Sequence, residues 1–100
     1  MAELVILYWR DIPAQVIVKA GRKSAKRQLP ERFEQAIDRA AMRAKLTGSD
    51  AYLEQWRRSE PIRCGDDLEA EATQAAAELD AVFTADVVRA HVANGGFAPD

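Results

Sequence analysis

The chain contains a single cysteine and a single histidine, the side chains that most readily serve as nucleophile and base. Cys64 follows Arg63 and precedes a predicted helix start, and both features lower the pKa of a thiol. Asp66 and Asp67 act in the opposite direction, because nearby negative charge disfavours the thiolate. No feature of the sequence brings His91, in the last predicted helix, next to the cysteine. We therefore interpret Cys64 as a plain, partly buried residue and His91 as a surface or packing residue.

Carboxylates cluster directly after the cysteine, at Asp66, Asp67, Glu69 and Glu71. Such a group could bind a hard cation, but it lacks the glycine turn and alternating ligands of a calcium loop. Capping of a helix explains it better, and a lone cysteine cannot build a zinc site. The sequence therefore predicts no metal, no cofactor and no catalytic residue. An enzyme would need a cleft that joins Cys64 or several carboxylates.

The strongest candidate for a functional surface is a burst of positive charge after the second predicted strand. Side chains before and after this burst could join it in one basic patch suited to phosphate or carboxylate groups. The predicted partner-binding residues are Lys19, Arg22, Lys23, Lys26, Arg27, Arg32 and Arg39. We predict an acidic protein partner or self-association through this patch.

A nucleic acid is the alternative partner for the same patch. Modules that bind single strands interleave basic and aromatic residues, but no aromatic residue lies between Trp9 and Phe33. The sequence pI of about 5.4 also falls short of a basic nucleic-acid-binding domain. Both observations favour a protein partner.

Charge is distributed unevenly along the chain. Residues 1–63 carry 13 Lys and Arg against 8 Asp and Glu, whereas residues 64–100 carry 1 against 8. Two interpretations stay open. The two halves attract each other in the folded state, or the polarised surface steers two different partners.

Length and composition indicate one globular domain. One hundred residues with 48% hydrophobic and 30% charged residues fit a single domain over residues 1–96 with a frayed tail at 97–100. The apolar run Leu4 to Trp9 is too short for a signal peptide, and no window approaches a membrane span. We expect a cytoplasmic protein with no membrane contact.

The first third of the chain predicts an antiparallel hairpin. An unbroken apolar run from Leu4 to Trp9 indicates a central strand covered on both faces. A partly alternating strand from Gln15 to Lys19 follows, and a basic connector leads on to Pro30. The segment 57–64 is either a third strand or irregular structure, and Pro61 confines such a strand to an edge.

Helical periodicity dominates the rest. One helix should begin at Pro30 and end near Thr47 and Gly48, and Ser49 and Asp50 should cap a brief helical turn. Asp66 and Glu69 resemble a capping box for a helix that carries Leu68, Ala72, Ala75, Leu79 and Val82. Thr84 should cap a last helix that Gly95 and Gly96 end. The predicted fold class is α+β, a small antiparallel sheet covered by three main helices.

Three segments carry a resemblance to a known family. They are LVILYWRDIPAQVIVKAGRKSAKRQLPERFEQAIDRAAMRA, DAYLEQWRR and the acidic DDLEAEA, within residues 3–83. They resemble the small bacterial virulence factor domain. Members are short stand-alone proteins, or segments of longer chains that also hold a scaffold-like iron–sulfur assembly domain and HEAT repeats.

The resemblance implies an adaptor and supplies no catalytic motif. We therefore predict a non-enzymatic interaction or accessory domain that docks an acidic partner. The family's stand-alone members are also associated with genes of folate and corrinoid one-carbon methyl transfer. An accessory subunit of such a methyl-transfer system is accordingly a further alternative.

Overall fold

The computed structural model describes residues 2–46, 48 and 50–99, and over these residues the chain forms five strands and four helices. The strands are β1 (Ala2–Trp9), β2 (Ile12–Ala20), β3 (Lys23–Gln28), β4 (Trp56–Arg58) and β5 (Ile62–Cys64). The helices are α1 (Glu31–Arg43), α2 (Asp50–Glu54), α3 (Leu68–Val82) and α4 (Ala85–Ala93). The predicted α+β class, with an N-terminal hairpin under three main helices, is confirmed.

All strands belong to one antiparallel sheet, in which β1 lies between β2 and an edge that β4 and β5 share. The predicted third edge strand is therefore present, in two short pieces with Pro61 between them. Ser59 fastens this interruption to β1, because its hydroxyl accepts from the Ile6 N–H at 2.9 Å and its own N–H donates to the Ile6 carbonyl. The proline lacks a ladder donor and lies outside both pieces.

The prediction that a basic connector joins the hairpin to α1 is wrong. Most of that segment is β3, which pairs with β2 along its length. Ala25 is the one buried side chain of this strand, and the others are exposed. An edge strand with polar side chains on both sides has no apolar alternation, which is the signal that identifies a strand in a sequence.

The two faces of the sheet have different surroundings. Side chains of directly paired residues share a face, so the register places Leu4, Val18 and Ala25 together. These three are buried against Ala72 of α3, and we call this side the α3 face. On the opposite side, the open face, Val5 is paired with Ile17 and Ile17 with Lys26.

A second core cluster closes one end of the sheet. Trp9 and Ile12 at the β1–β2 turn pack with Phe33 and Ile37 of α1 and with Val88 of α4. Spacings of three and four residues along α1 bring its apolar side chains onto this cluster.

The first helix is shorter than the sequence predicts. It starts directly after Pro30 and ends at Arg43, whereas we placed its end near Thr47 and Gly48. Lys45 adopts a positive φ of 60°, and the Leu46 N–H donates to the Ala41 carbonyl, which closes the last turn. The predicted end at Thr47 and the predicted cap at Ser49 lie outside the described residues.

The cap of α3 is Asp67 rather than Asp66. The Asp67 carboxylate accepts from the Ala70 N–H at 3.2 Å, in the position that satisfies a free donor of the first turn. Thr84 caps α4 as predicted, accepting from the Val87 N–H at 3.3 Å.

Replacing Asp67 by alanine should lower the free energy of unfolding by about 1 kcal/mol, because the first turn loses its cap. Asp66→Ala is the matched control. It removes the same charge from the same exposed loop, leaves the cap in place and should change stability little. Urea titration followed by circular dichroism measures both variants, and equal losses would contradict the assignment.

The residues after α4 contact the β1–β2 turn. The Asp11 N–H donates to the Gly96 carbonyl, and the Asp11 carboxylate accepts from the Ala98 N–H at 2.7 Å. The Ala98 hydrogen bond and the Arg57 guanidinium lower the pKa of Asp11, against the effect of burial. Fraying of residues 97–100 stays a prediction.

No helix among the described residues has the length and apolarity needed to cross a bilayer.

Candidate functional site

Four of the predicted partner-binding residues gather on the β2–β3 hairpin. Lys19 lies near the end of β2, Arg22 in the turn, and Lys23 and Lys26 on β3, and all four are exposed. We call them the hairpin cations. None of them forms an ion pair within the part of the chain that the structure describes.

Two other predicted residues are paired with acids of α3. Arg27 approaches Glu69 at 3.3 Å and donates to the Thr73 hydroxyl. Arg32 pairs with Asp80 and donates to the Phe83 carbonyl at 2.8 Å. Both arginines join the basic first part of the chain to its acidic second part and are not as free as the hairpin cations.

Arg39, the seventh predicted residue, belongs to another surface. It lines a shallow groove of about 230 Å³ between α1 and α4, together with Arg32 and Arg89. Arg89 pairs with Asp86 one turn earlier on α4. The structure therefore divides the predicted patch among the hairpin, the α3 contacts and this groove.

The open face adds two cations that sequence reasoning missed. Arg58 of β4 is paired with Leu7, and Arg63 of β5 with Glu3, so both residues lie on the side that carries Lys19 and Lys26. In the sequence the two arginines lie in the segment 57–64, which is either a third strand or irregular structure. Only the register of that strand, which the sequence does not specify, could have assigned them to this face.

One acid accompanies these cations. Glu3 is the direct partner of Lys19 on β2 and of Arg63 on β5, but it forms no ion pair with either within the described residues. Val5 and Ile17 lie beside it in a depression of about 80 Å³ that Lys19 and Arg58 also line. The open face is thus a cationic rim around a small apolar centre.

Cys64 lacks the environment of a reactive thiol. Burial raises its pKa, and the carboxylates of Glu71 and Asp66 raise it further. His91 is buried in another part of the molecule, where its Nδ1 lies 2.9 Å from the Val87 carbonyl and its ring packs on Phe83. The structure does not bring the two residues together in a nucleophile and base pair.

The acidic cluster after Cys64 is not arranged as a metal site. In the residues that the structure describes, no three His, Cys, Asp or Glu side chains are placed to hold one ion. Asp67 is used as a cap and Glu69 in the pair with Arg27. These two carboxylates are engaged in structural contacts.

The fold and the site define a small α+β domain with a cationic sheet surface. The family model described as Virulence factor matches residues 7–92, and the chain belongs to this family. No curated protein matches the chain, and no solved structure matches it.

Proposed function

We propose that this domain is a non-enzymatic interaction or accessory module that docks an acidic protein through the hairpin cations. The observation that carries the proposal is the contrast between paired and unpaired cations. Arg27 and Arg32 have carboxylate partners, whereas the exposed Lys19, Arg22 and Lys26 have none among the described residues.

The sheet fixes the positions of two hairpin cations on the open face, whereas Lys23 is paired with Ala20 on the α3 side and Arg22 lies in the turn. Lys19 and Lys26 extend from neighbouring paired strands, so their backbone positions are set by the ladder. Arg58 and Arg63 extend the same charge across β1 to the opposite edge. A partner with a row of carboxylates would meet complementary charge over the width of the sheet, which sets association rate and specificity more than affinity.

Replacing Lys19, Arg22, Lys23 and Lys26 by glutamine should leave folding intact and strongly reduce capture of the partner at low salt. All four side chains are exposed and make no ion pair that the described fold would lose. Affinity capture from the organism's own extract, read by mass spectrometry, measures the loss. Capture by the wild-type domain should also fall at high salt, because the Debye length shrinks from ~10 Å at 0.1 M to ~3 Å at 1 M.

A control matched in charge removes four cations from α1, from α4 and from the turn after α1. Arg39, Arg43 and Arg89 become glutamine and Lys45, at its positive φ, becomes asparagine. The control should retain the partner, and circular dichroism verifies that both variants fold. Equal capture by the two variants would exclude the hairpin cations as the docking surface.

Nucleic acid remains the alternative for the same cations. The paired neighbours of Lys19 and Lys26 on the open face are Glu3, Ser24 and Ile17, which offer no aromatic ring for base stacking. A gel-shift assay that shows salt-dependent binding of a single strand or duplex would favour this alternative. Capture of a methyl-transfer enzyme would favour the other alternative, an accessory role in one-carbon methyl transfer.

A further inference from the structure

A groove on the α3 face has the shape and charge of a second docking site. Helix α3 packs mainly on β2 and β3 and has only a small contact with β1. Beside it a space of about 420 Å³ remains over β1 and β5, with Leu4, Ile6 and Cys64 among its lining residues. The helical layer covers one half of this face and leaves the other half open.

Two large apolar side chains at the rim of this groove are exposed. Ile62 of β5 is 54% exposed and Val82 at the end of α3 is 64% exposed. Both line the groove, together with Ala75 and Leu79 on the same flank of α3. Exposed apolar rims of this kind mark interaction surfaces.

The charges of α3 differ between its two flanks. Toward β3 and α1, Glu69 pairs with Arg27 and Asp80 pairs with Arg32. Toward the groove, Glu71 and Glu78 form no ion pair within the described residues, and Glu78 accepts only the Gln74 amide. One cation, Arg63 of β5, also lines the groove, but it pairs with neither carboxylate among the described residues. The groove therefore presents two carboxylates without a cationic partner in the described part of the chain.

The dimensions fit a helix. Groove-lining residues of α3 run from Glu71 to Val82, about 17 Å at 1.5 Å per residue, which corresponds to three turns. A strand is a poorer occupant, because the nearest free edge belongs to β5, which has three residues and follows Pro61. Ala75 also permits close approach of a neighbouring helix.

We infer that the groove between α3 and the β1–β5 edge binds an amphipathic helix of a partner protein. The helix lies beside α3 with its apolar stripe on Ile6 and Ile62. Its lysines or arginines pair with Glu71 and Glu78. This site is opposite in charge to the hairpin cations and uses none of them, so its failure and the failure of the proposed function are distinguishable.

The probe is a synthetic 18-residue helical peptide with leucine at three- and four-residue spacing and lysine along one flank. A control peptide carries glutamate at the lysine positions. Titration by NMR should show that the lysine peptide binds and shifts amide signals of Ile6, Cys64 and Ala75, whereas the glutamate peptide leaves these signals unchanged. Bound lysine peptide should also slow alkylation of Cys64, the one cysteine of the chain.

Substitutions in the groove test which side chains contact the peptide. Glu71→Gln with Glu78→Gln should weaken binding of the lysine peptide by about three- to tenfold, the effect of two exposed ion pairs. Glu31→Gln with Glu34→Gln, on α1, removes equal charge and should leave binding unchanged. Ile62→Ser with Val82→Ser should abolish binding, whereas the exposed pair Met42→Ser and Leu53→Ser should not.

Several results would overturn the inference. These are equal shifts of the groove signals with the two peptides, shifts by the lysine peptide only outside the groove, or insensitivity of its binding to the Ile62 and Val82 changes. Sedimentation of the domain alone tests the remaining occupant, a second copy of the chain. A dimer that the Ile62→Ser and Val82→Ser changes dissociate would assign the groove to self-association and exclude the partner helix.

Discussion

Gly96→Ala should lower the free energy of unfolding by about 2 to 5 kcal/mol, a large part of the stability of a small domain. Gly96 has a φ of +99°, a conformation that side chains of L-residues rarely adopt. A Cβ at this position would also lie 2.7 Å from Cζ3 of Trp9, which is fully buried. Urea denaturation monitored by tryptophan fluorescence measures the loss.

Gly21→Ala is the matched control for this effect. Gly21 also has a positive φ, +62°, but an added Cβ would meet no atom within 4 Å. The control isolates the backbone strain, about 1 to 2 kcal/mol, from the overlap with Trp9. If Gly96→Ala costs no more than Gly21→Ala, the close packing against the indole contributes nothing to stability.

The Gly96 contact also explains how the last helix is joined to the first hairpin. The Gly96 carbonyl accepts from the Asp11 N–H, and the Gly95 carbonyl accepts from the Arg10 guanidinium at 2.8 Å. Trp9 Nε1 donates to the Tyr52 carbonyl at 3.0 Å, so α2 meets the same turn. The sequence predicted Gly95 and Gly96 only as a helix stop, because periodicity carries no information about which distant element a helix end contacts.

Helices and strands whose apolar residues recur at regular spacing could be predicted from the sequence. Elements without such a spacing could not. The residues Leu68, Ala72, Ala75 and Leu79 repeat at helical spacing, and the structure forms α3 over them. The exposed side chains of β3 give no such signal, although β3 contains two of the hairpin cations. Its strand state comes from backbone pairing with β2, a tertiary effect.

Contacts between distant parts of the chain decide which residues of the predicted basic patch share a surface. Nothing local distinguishes Arg27 from Lys26, but alternation in β3 directs Arg27 toward Glu69 and Lys26 to the open face. β1 is also less covered than its apolar run implies. Ile6 and Tyr8 on the α3 face are only partly buried because α3 lies over β2 and β3, and Val5 and Leu7 on the open face are only partly buried as well.

We expect that surface substitutions in this domain can change partner binding without changing the free energy of unfolding. The hairpin cations and the groove rim are exposed, whereas the buried core lies at the end of the sheet and beneath α3. Surface substitutions of the kind tested above usually change stability by less than about 0.5 kcal/mol. A variant that loses partner capture with an unchanged unfolding curve therefore reports on the surface.

Phe33→Ala should lower the free energy of unfolding by about 3 to 5 kcal/mol. Phe33 is 1% exposed in the first turn of α1, and its ring meets the edge of Phe83 with centroids 6.0 Å apart. Arg32 lies over the same ring at 4.6 Å while it pairs with Asp80. Loss of the ring would thus leave a cavity where α1 meets the α3–α4 junction.

Thermal and urea unfolding measure this loss, and two further variants keep the result interpretable. Phe33→Leu retains most of the apolar volume and should lower the free energy of unfolding by about 1 to 2 kcal/mol. It therefore measures the contribution of this position even if the alanine variant does not fold. Met42→Ala, on the exposed side of the same helix, should have little effect. If Phe33→Ala were as mild as Met42→Ala, α1 would not belong to the cooperative core.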